Sequence, residues 1–122
     1  MNILLDTSII ISHLRLDQTK KLLATNTKYY ISDITIVELF SGKSIWESTK
    51  KKSQLTQVIK QCTRLPTTLK ISQLAGMIRS GYHTQIPDAI IAATALVHKL
   101  PLATLNTKDF TPIPHLKLSK LS

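Results

Sequence analysis

Residues 2–11 read N-I-L-L-D-T-S-I-I-I, and the reading of Asp6 within this run decides the fold and much of the function. Ile3, Leu4 and Leu5 form a short apolar run with strand character, and Asp6, Thr7 and Ser8 interrupt it before apolar residues resume at Ile9. Such a run reads as a buried central strand of an α/β sheet whose polar tip leads into a helix. Ligands collect at the carboxyl ends of parallel strands. Asp6 therefore either opens a binding site or simply caps the following helix, a common task for Asp. The choice turns on whether other carboxylates join it.

Outward from this strand, helical and extended patterns alternate. Helices are expected over residues 7–14 and 17–25, the second capped by Asp17, followed by a β-favouring run K-Y-Y-I-S at Lys28 to Ser32. Ser32 can cap a helix with Ile34, Val37, Glu38 and Ser41 on one face, stopped by Gly42. A long polar helix is expected over 45–61, with Trp46, Leu55, Val58 and Ile59 as its apolar contacts and Trp46 in the core. Arg64-Leu65-Pro66 is brief and extended, and residues 68–80 read as a helix ended by Gly81. Pro87 opens a nearly all-apolar, buried helix to Lys99. Strands at 102–105 and 116–118 flank a turn or short helix at 106–110. This alternation predicts a single domain over residues 1–122, a three-layer α/β/α sandwich around a central, mainly parallel sheet.

The 122 residues are 43% apolar, enough for a real core, and contain only 3 Gly and 5 Pro, which leaves little for a linker. No stretch approaches the roughly 18 consecutive apolar residues of a membrane span. The N-terminal run lacks a preceding positive region, so no signal peptide is expected. The single cysteine, Cys62, excludes an internal disulfide and a multi-cysteine zinc site. A cytoplasmic location is the resulting expectation. Sixteen Lys and Arg against seven Asp and Glu give a net charge of +9, the signature of a polyanion-binding chain. Aromatic residues make up only 5%, so backbone phosphates, rather than stacked bases, are the expected contact.

With so few acids, each can be asked what it does. Asp17, Asp33 and Glu47 suit helix starts. Asp6, Glu38 and Asp88 lie in apolar surroundings where an unpaired carboxylate is costly, and no Lys or Arg lies within four residues of Asp6, or within four residues of Glu38 on its N-terminal side. A bound cation is the better partner, and oxygen ligands favour Mg²⁺ or Mn²⁺. His13, His83, His98 and His115 show no ligand spacing that would argue for zinc. Carboxylates holding such ions suit displacement at phosphorus by an activated water. Setting Asp6, Glu38, Asp88 and Asp109 aside leaves 16 bases against three acids, a basic rim around an acidic centre.

Four stretches, in order, then carry a resemblance: L-L-D-T-S at 4–8, V-E-L-F-S-G at 37–42, P-D-A-I-I-A-A-T-A at 87–95 (preceded by I-R-S-G at 78–81), and T-L-N-T-K-D-F at 104–110. Together they span essentially the whole chain, which resembles a PIN-domain ribonuclease of the VapC toxin type. The resemblance implies that Asp6, Glu38, Asp88 and Asp109 bind the metal, with Thr7 or Ser8, and Thr104, supporting them through hydroxyl hydrogen bonds. Asn106 is either a ligand through water or a turn residue, and Thr104 alternatively just ends a strand. It further implies a Mg²⁺- or Mn²⁺-dependent endoribonuclease that leaves 5′-phosphate and 3′-hydroxyl ends on tRNA or rRNA. A homodimer and a cognate VapB-like antitoxin that masks the acidic site, often with a basic side chain, complete the expectation. Lys43, Lys50, Lys51, Lys52 and Arg79 are candidate RNA contacts, although a charge run on a helix is commonly just a solvated face. Two competing readings are a non-catalytic RNA- or protein-binding module and a metal-dependent DNA nuclease.

Overall fold

The computed structural model describes residues 1–23 and 26–120. Among these residues five strands are interspersed with eight helices: β1 (Asn2–Leu5), α1 (Thr7–Arg15), α2 (Thr19–Leu23), β2 (Lys28–Ser32), α3 (Asp33–Phe40), α4 (Lys43–Glu47), α5 (Thr49–Gln61), β3 (Thr63–Leu65), α6 (Leu69–Tyr82), α7 (Ile86–His98), β4 (Leu102–Ala103), α8 (Thr107–Phe110) and β5 (Leu118–Ser119). All pairings are parallel, in the order β3-β2-β1-β4-β5, with Leu4 opposite Tyr30 on one side and Leu102 on the other. The opening strand is thus central, as its apolar run predicts. The chain builds outward from β1 through β2 to β3, then crosses back to place β4 on the other side of β1. The direction of winding reverses between β1 and β4, which is where such sheets form a crevice.

Alternation along β1 divides the core in two. Leu4 packs with Ile71, Ala75, Ile78 and the α7 residues Ala89, Ile91, Ala92 and Ala93. Ile3 and Leu5 face the opposite layer, with Ile9, Ile10, Leu39, Leu55 and Val58. Successive strand side chains point to opposite faces, so one four-residue strand anchors both helical layers. The run of alanines in α7 lets that helix lie close under the sheet, and the helix is buried as expected.

Several helix limits differ from the sequence pattern. The expected helix over 45–61 is two helices, because Ser48 takes an extended conformation and its hydroxyl accepts the Lys51 N–H to cap α5. Trp46, on the short α4, is not core: it is 64% exposed, with Nε1–H donating to Phe40 O at 2.8 Å. On α3 the buried positions are Thr35 and Leu39, and Val37 is exposed. Asp17 does not cap a helix; it follows the C-cap of α1 in the left-handed region at φ 55°. Its carboxylate accepts from Gln54 and pairs with Lys50, which together hold its pKa below the ordinary value. The expected limit of that helix at Thr25 lies outside the described residues.

Two more stops fall where no glycine marks them. α6 runs through Gly81 and ends at left-handed His83, and α7 ends at left-handed Lys99. Conversely, Gly42 has φ −72°, a conformation open to any residue. At the C-terminal side, β4 ends at Ala103 and β5 is Leu118–Ser119 rather than 116–118. Among the described residues no helix is long and apolar enough to cross a membrane.

The two-layer role of β1 sets an expected cost. Leu4→Ala should lower stability by about 2–5 kcal/mol in urea unfolding, whereas Val37→Ala on the exposed face of α3 should change it by no more than about 0.5 kcal/mol.

Candidate active site

The site lies at the carboxyl end of β1, in the crevice beside β4. Asp6 N–H donates to Ala103 O at 2.9 Å, continuing the β1–β4 ladder by one residue and bringing Thr104 alongside Asp6. Asp6 occupies the N-cap position of α1 with φ −71° and ψ 152°, yet its side chain makes no capping bond. The carboxylate is 3% exposed, and Oδ2 accepts two hydroxyls: Ser8 Oγ at 2.7 Å and Thr104 Oγ1 at 2.7 Å. These hydroxyls are themselves held, since Leu105 N–H donates to Ser8 Oγ and Asn106 N–H donates to Thr104 Oγ1. Capping thus fails to account for Asp6. Its position is fixed by the strand, and its orientation by two hydroxyl groups 96 residues apart in sequence.

Glu38 comes from the last turn of α3. Thr7 Oγ1 donates to Glu38 Oε1 at 2.7 Å and is hydrogen-bonded to buried Thr35 Oγ1 at 3.1 Å. Thr35 is the residue that the sequence pattern missed; the available signal was its position one turn before Glu38 on the helix. Asp88 sits in the first turn of α7, where the helix dipole favours a negative charge. Even so, burial, with the charges of Asp6, Asp109 and Glu38 behind it, pushes its carboxyl from 3.8 up to about 6. Asp109, on α8, is exposed but close enough to act on Asp88 electrostatically. The four acids therefore share one end of the sheet.

The remaining candidates separate. Thr7, Ser8 and Thr104 bond directly to the carboxylates, whereas Asn106 contributes its backbone N–H. Arg79 Nη1 donates to Thr84 O at 3.0 Å and braces the α6–α7 turn. Lys43 lies exposed at the start of α4. Lys50 pairs with Asp17, and Lys52 lies over the Trp46 ring at 5.6 Å.

The donors at the acidic end are carboxylate and hydroxyl oxygens, a set that suits hard divalent cations. Among the described residues no Lys or Arg pairs with any of the four acids; the ion pairs are Lys50–Asp17 and Arg64–Asp33. In the same residues no three His, Cys, Asp or Glu side chains are arranged to hold a metal ion as they stand. The donor chemistry thus fits a divalent cation.

A doubly wound parallel sheet with an acid-lined crevice at its switch point defines a class of proteins, and comparison with known proteins narrows it. The PIN domain pattern matches residues 3–115, and the chain belongs to the PIN domain family. It is 33% identical to a ribonuclease VapC of Rickettsia bellii, over 97% of this chain and 95% of that protein. Among solved structures it is similar to a toxin–antitoxin complex from Klebsiella pneumoniae, at 29% identity and TM-score 0.76 over 98% of this chain and 96% of that one. The fold is also that of VapBC2 from Rickettsia felis bound to a promoter DNA fragment, with TM-score 0.81 at 24% identity and full coverage of both chains.

The raised pKa of Asp88 has a measurable sign. Between about 6 and 3.8 the folded protein keeps a proton that the unfolded chain releases. The ionised group thus opposes folding above about 6, and this opposition fades as pH falls towards 3.8. Asp88→Asn is expected to raise the urea midpoint at neutral pH without divalent cations, with a gain that shrinks on acidification through pH 6. A pH-independent gain would assign the effect to packing instead.

Proposed function

We propose that the chain is a Mg²⁺- or Mn²⁺-dependent endoribonuclease, the toxin of a toxin–antitoxin pair. The coarser reading, a PIN-domain toxin nuclease, is supported by the relatives named ribonuclease VapC and by the likeness to toxin–antitoxin complexes. The observation that carries the finer reading is the convergence of Asp6, Glu38 and Asp109 on Asp88, without a basic partner among the described residues.

In this reading Asp6, Glu38, Asp88 and Asp109 are the metal ligands. Divalent cations bound by them would lower the pKa of an attacking water and offset charge on the leaving oxygen. The protein's part is to hold the carboxylates in place. Thr7 limits Glu38 to one orientation, while Ser8 and Thr104 do the same for Asp6. One Asp6 oxygen carries both hydroxyl bonds, which leaves Oδ1 as the oxygen for a ligand. Asp88, pushed up to about 6 by burial and by its carboxylate neighbours, is mostly ionised at neutral pH, and positive charge beside it would favour that form further. The net charge of +9 draws the RNA backbone towards this centre.

The substrate is an RNA phosphodiester in tRNA or rRNA, and the setting is the cytoplasm. A VapB-like antitoxin is the natural partner, because an acidic crevice inside a basic chain must be masked to spare the cell. The active toxin is a homodimer.

Incubation of total RNA and single-stranded DNA with the protein in Mn²⁺ or EDTA tests this. RNA cleavage should occur only with the metal and fall by at least about 10²-fold in Asp6→Ala and Asp88→Ala. Cleavage that survives both substitutions would remove these acids from the mechanism. DNA as the better substrate would reassign the enzyme, and RNA binding without cleavage would point to a binding module. Thr104→Val, which deletes one of the two hydroxyls on Asp6, should reduce turnover about 10-fold while leaving the fold intact by circular dichroism.

A further inference from the structure

Of three consecutive lysines the fold sets one apart. Lys50 is drawn to Asp17 and Lys52 to the Trp46 ring, but Lys51 lines a cleft of about 230 Å³ bounded by α1, α3, α4 and α5. Ile11, Leu14, Leu39 and Ile45 line it with apolar surface, Arg15 adds a second basic group, and Glu38 belongs to its lining. Arg15 is the last residue of α1 and has no ion pair among the described residues. Because Glu38 also belongs to the acidic cluster, whatever fills this cleft abuts the acidic centre.

We propose that the cleft is a nucleotide subsite adjoining the scissile phosphate. The base lies against Ile11, Leu14 and Ile45, and the phosphate lies between Arg15 and Lys51. This rests on the ribonuclease reading of the acidic cluster and extends it to substrate positioning. At about 230 Å³ the cleft has room for a base-sized group, with the sugar and phosphate at its open rim. Charge favours a nucleotide too. A nucleotide brings a flat apolar face and an anion in one unit, matching an apolar wall that carries two cations. An apolar protein segment would fill the wall and leave Arg15 and Lys51 without a counter-charge. Arg15 and Lys51 line the same cleft as Glu38, so a phosphate held by these cations lies beside the acidic centre rather than among the carboxylates, which would repel it.

The test measures anisotropy of a fluorescein-labelled single-stranded RNA oligonucleotide with Asp88→Asn protein, which prevents cleavage, in Mg²⁺ over a range of salt. Arg15→Gln and Lys51→Gln should each weaken binding about 5-fold and flatten the log–log salt dependence by about 0.7, the slope expected of one phosphate contact on a single strand. Lys51→Arg should restore both quantities. Ile11→Gln should weaken binding with the slope unchanged, and Lys50→Gln should change neither. All these side chains are exposed, so melting temperatures should match the parent. Equal effects at Lys50 and Lys51 would overturn the subsite in favour of a diffuse basic surface. Unchanged RNA binding in Arg15→Gln, Lys51→Gln and Ile11→Gln would overturn it in favour of a protein segment as occupant. If wild type cleaves no RNA with Mg²⁺ or Mn²⁺, and the Asp88→Asn protein binds none, the ribonuclease reading itself fails.

Discussion

A buried carboxylate without a cationic partner among the described residues is the constraint around which this structure is arranged. Asp6 is almost wholly removed from solvent, and an ion in that position needs hydrogen bonds to replace lost water. It obtains two from hydroxyls on opposite sides of the chain, one on α1 and one just past β4. Both depend on parallel pairing of β1 with β4, because only that register sets Thr104 beside Asp6. The β1–β4 pairing in turn requires the chain to cross from β3 over the sheet through α6 and α7, and the alanine-rich face of α7 makes that packing close. Site and core are thus two consequences of one topology.

The same arrangement concentrates negative charge where the rest of the chain is positive. Burial, and then the charges of Asp6, Asp109 and Glu38, push the Asp88 carboxyl up to about 6. A fold that served stability alone would place a Lys or Arg there, and the chain has sixteen to choose from. Instead its basic groups are used elsewhere. Arg79 braces a turn, Arg64 pairs with Asp33 and Lys50 pairs with Asp17. The acidic end is thus left without a basic partner among the described residues, and this is the feature on which the proposed metal site rests.

Much of this architecture was legible in the residue pattern, and the exceptions share physical causes. The opening strand, the Ser32 cap and the buried Pro87 helix follow from local preferences that tertiary contacts reinforce. The breaks at Ser48, His83 and Lys99 did not announce themselves. Ser is common inside polar runs as well as at caps, and left-handed His or Lys at a helix end lacks the glycine that usually marks one. Trp46 was misplaced for another reason. A large aromatic residue is core by default, but here the backbone carbonyl of Phe40 and the Lys52 side chain give it partners at the surface.

For the acidic end, the sequence by itself determined which residues were costly: Asp6, Glu38 and Asp88 among apolar neighbours, in a chain otherwise rich in positive charge. It also determined the donor atoms on offer, since carboxylates and hydroxyls present only hard oxygens. The tertiary structure alone decided which hydroxyl serves which carboxylate, that Thr35 stands behind Thr7, and that burial and the neighbouring acids push Asp88 up. Residue type and local pattern set the cost of burying a charge. The identity of the groups that offset it depends on through-space distances between segments nearly a hundred residues apart, and these exist only once the strands have paired.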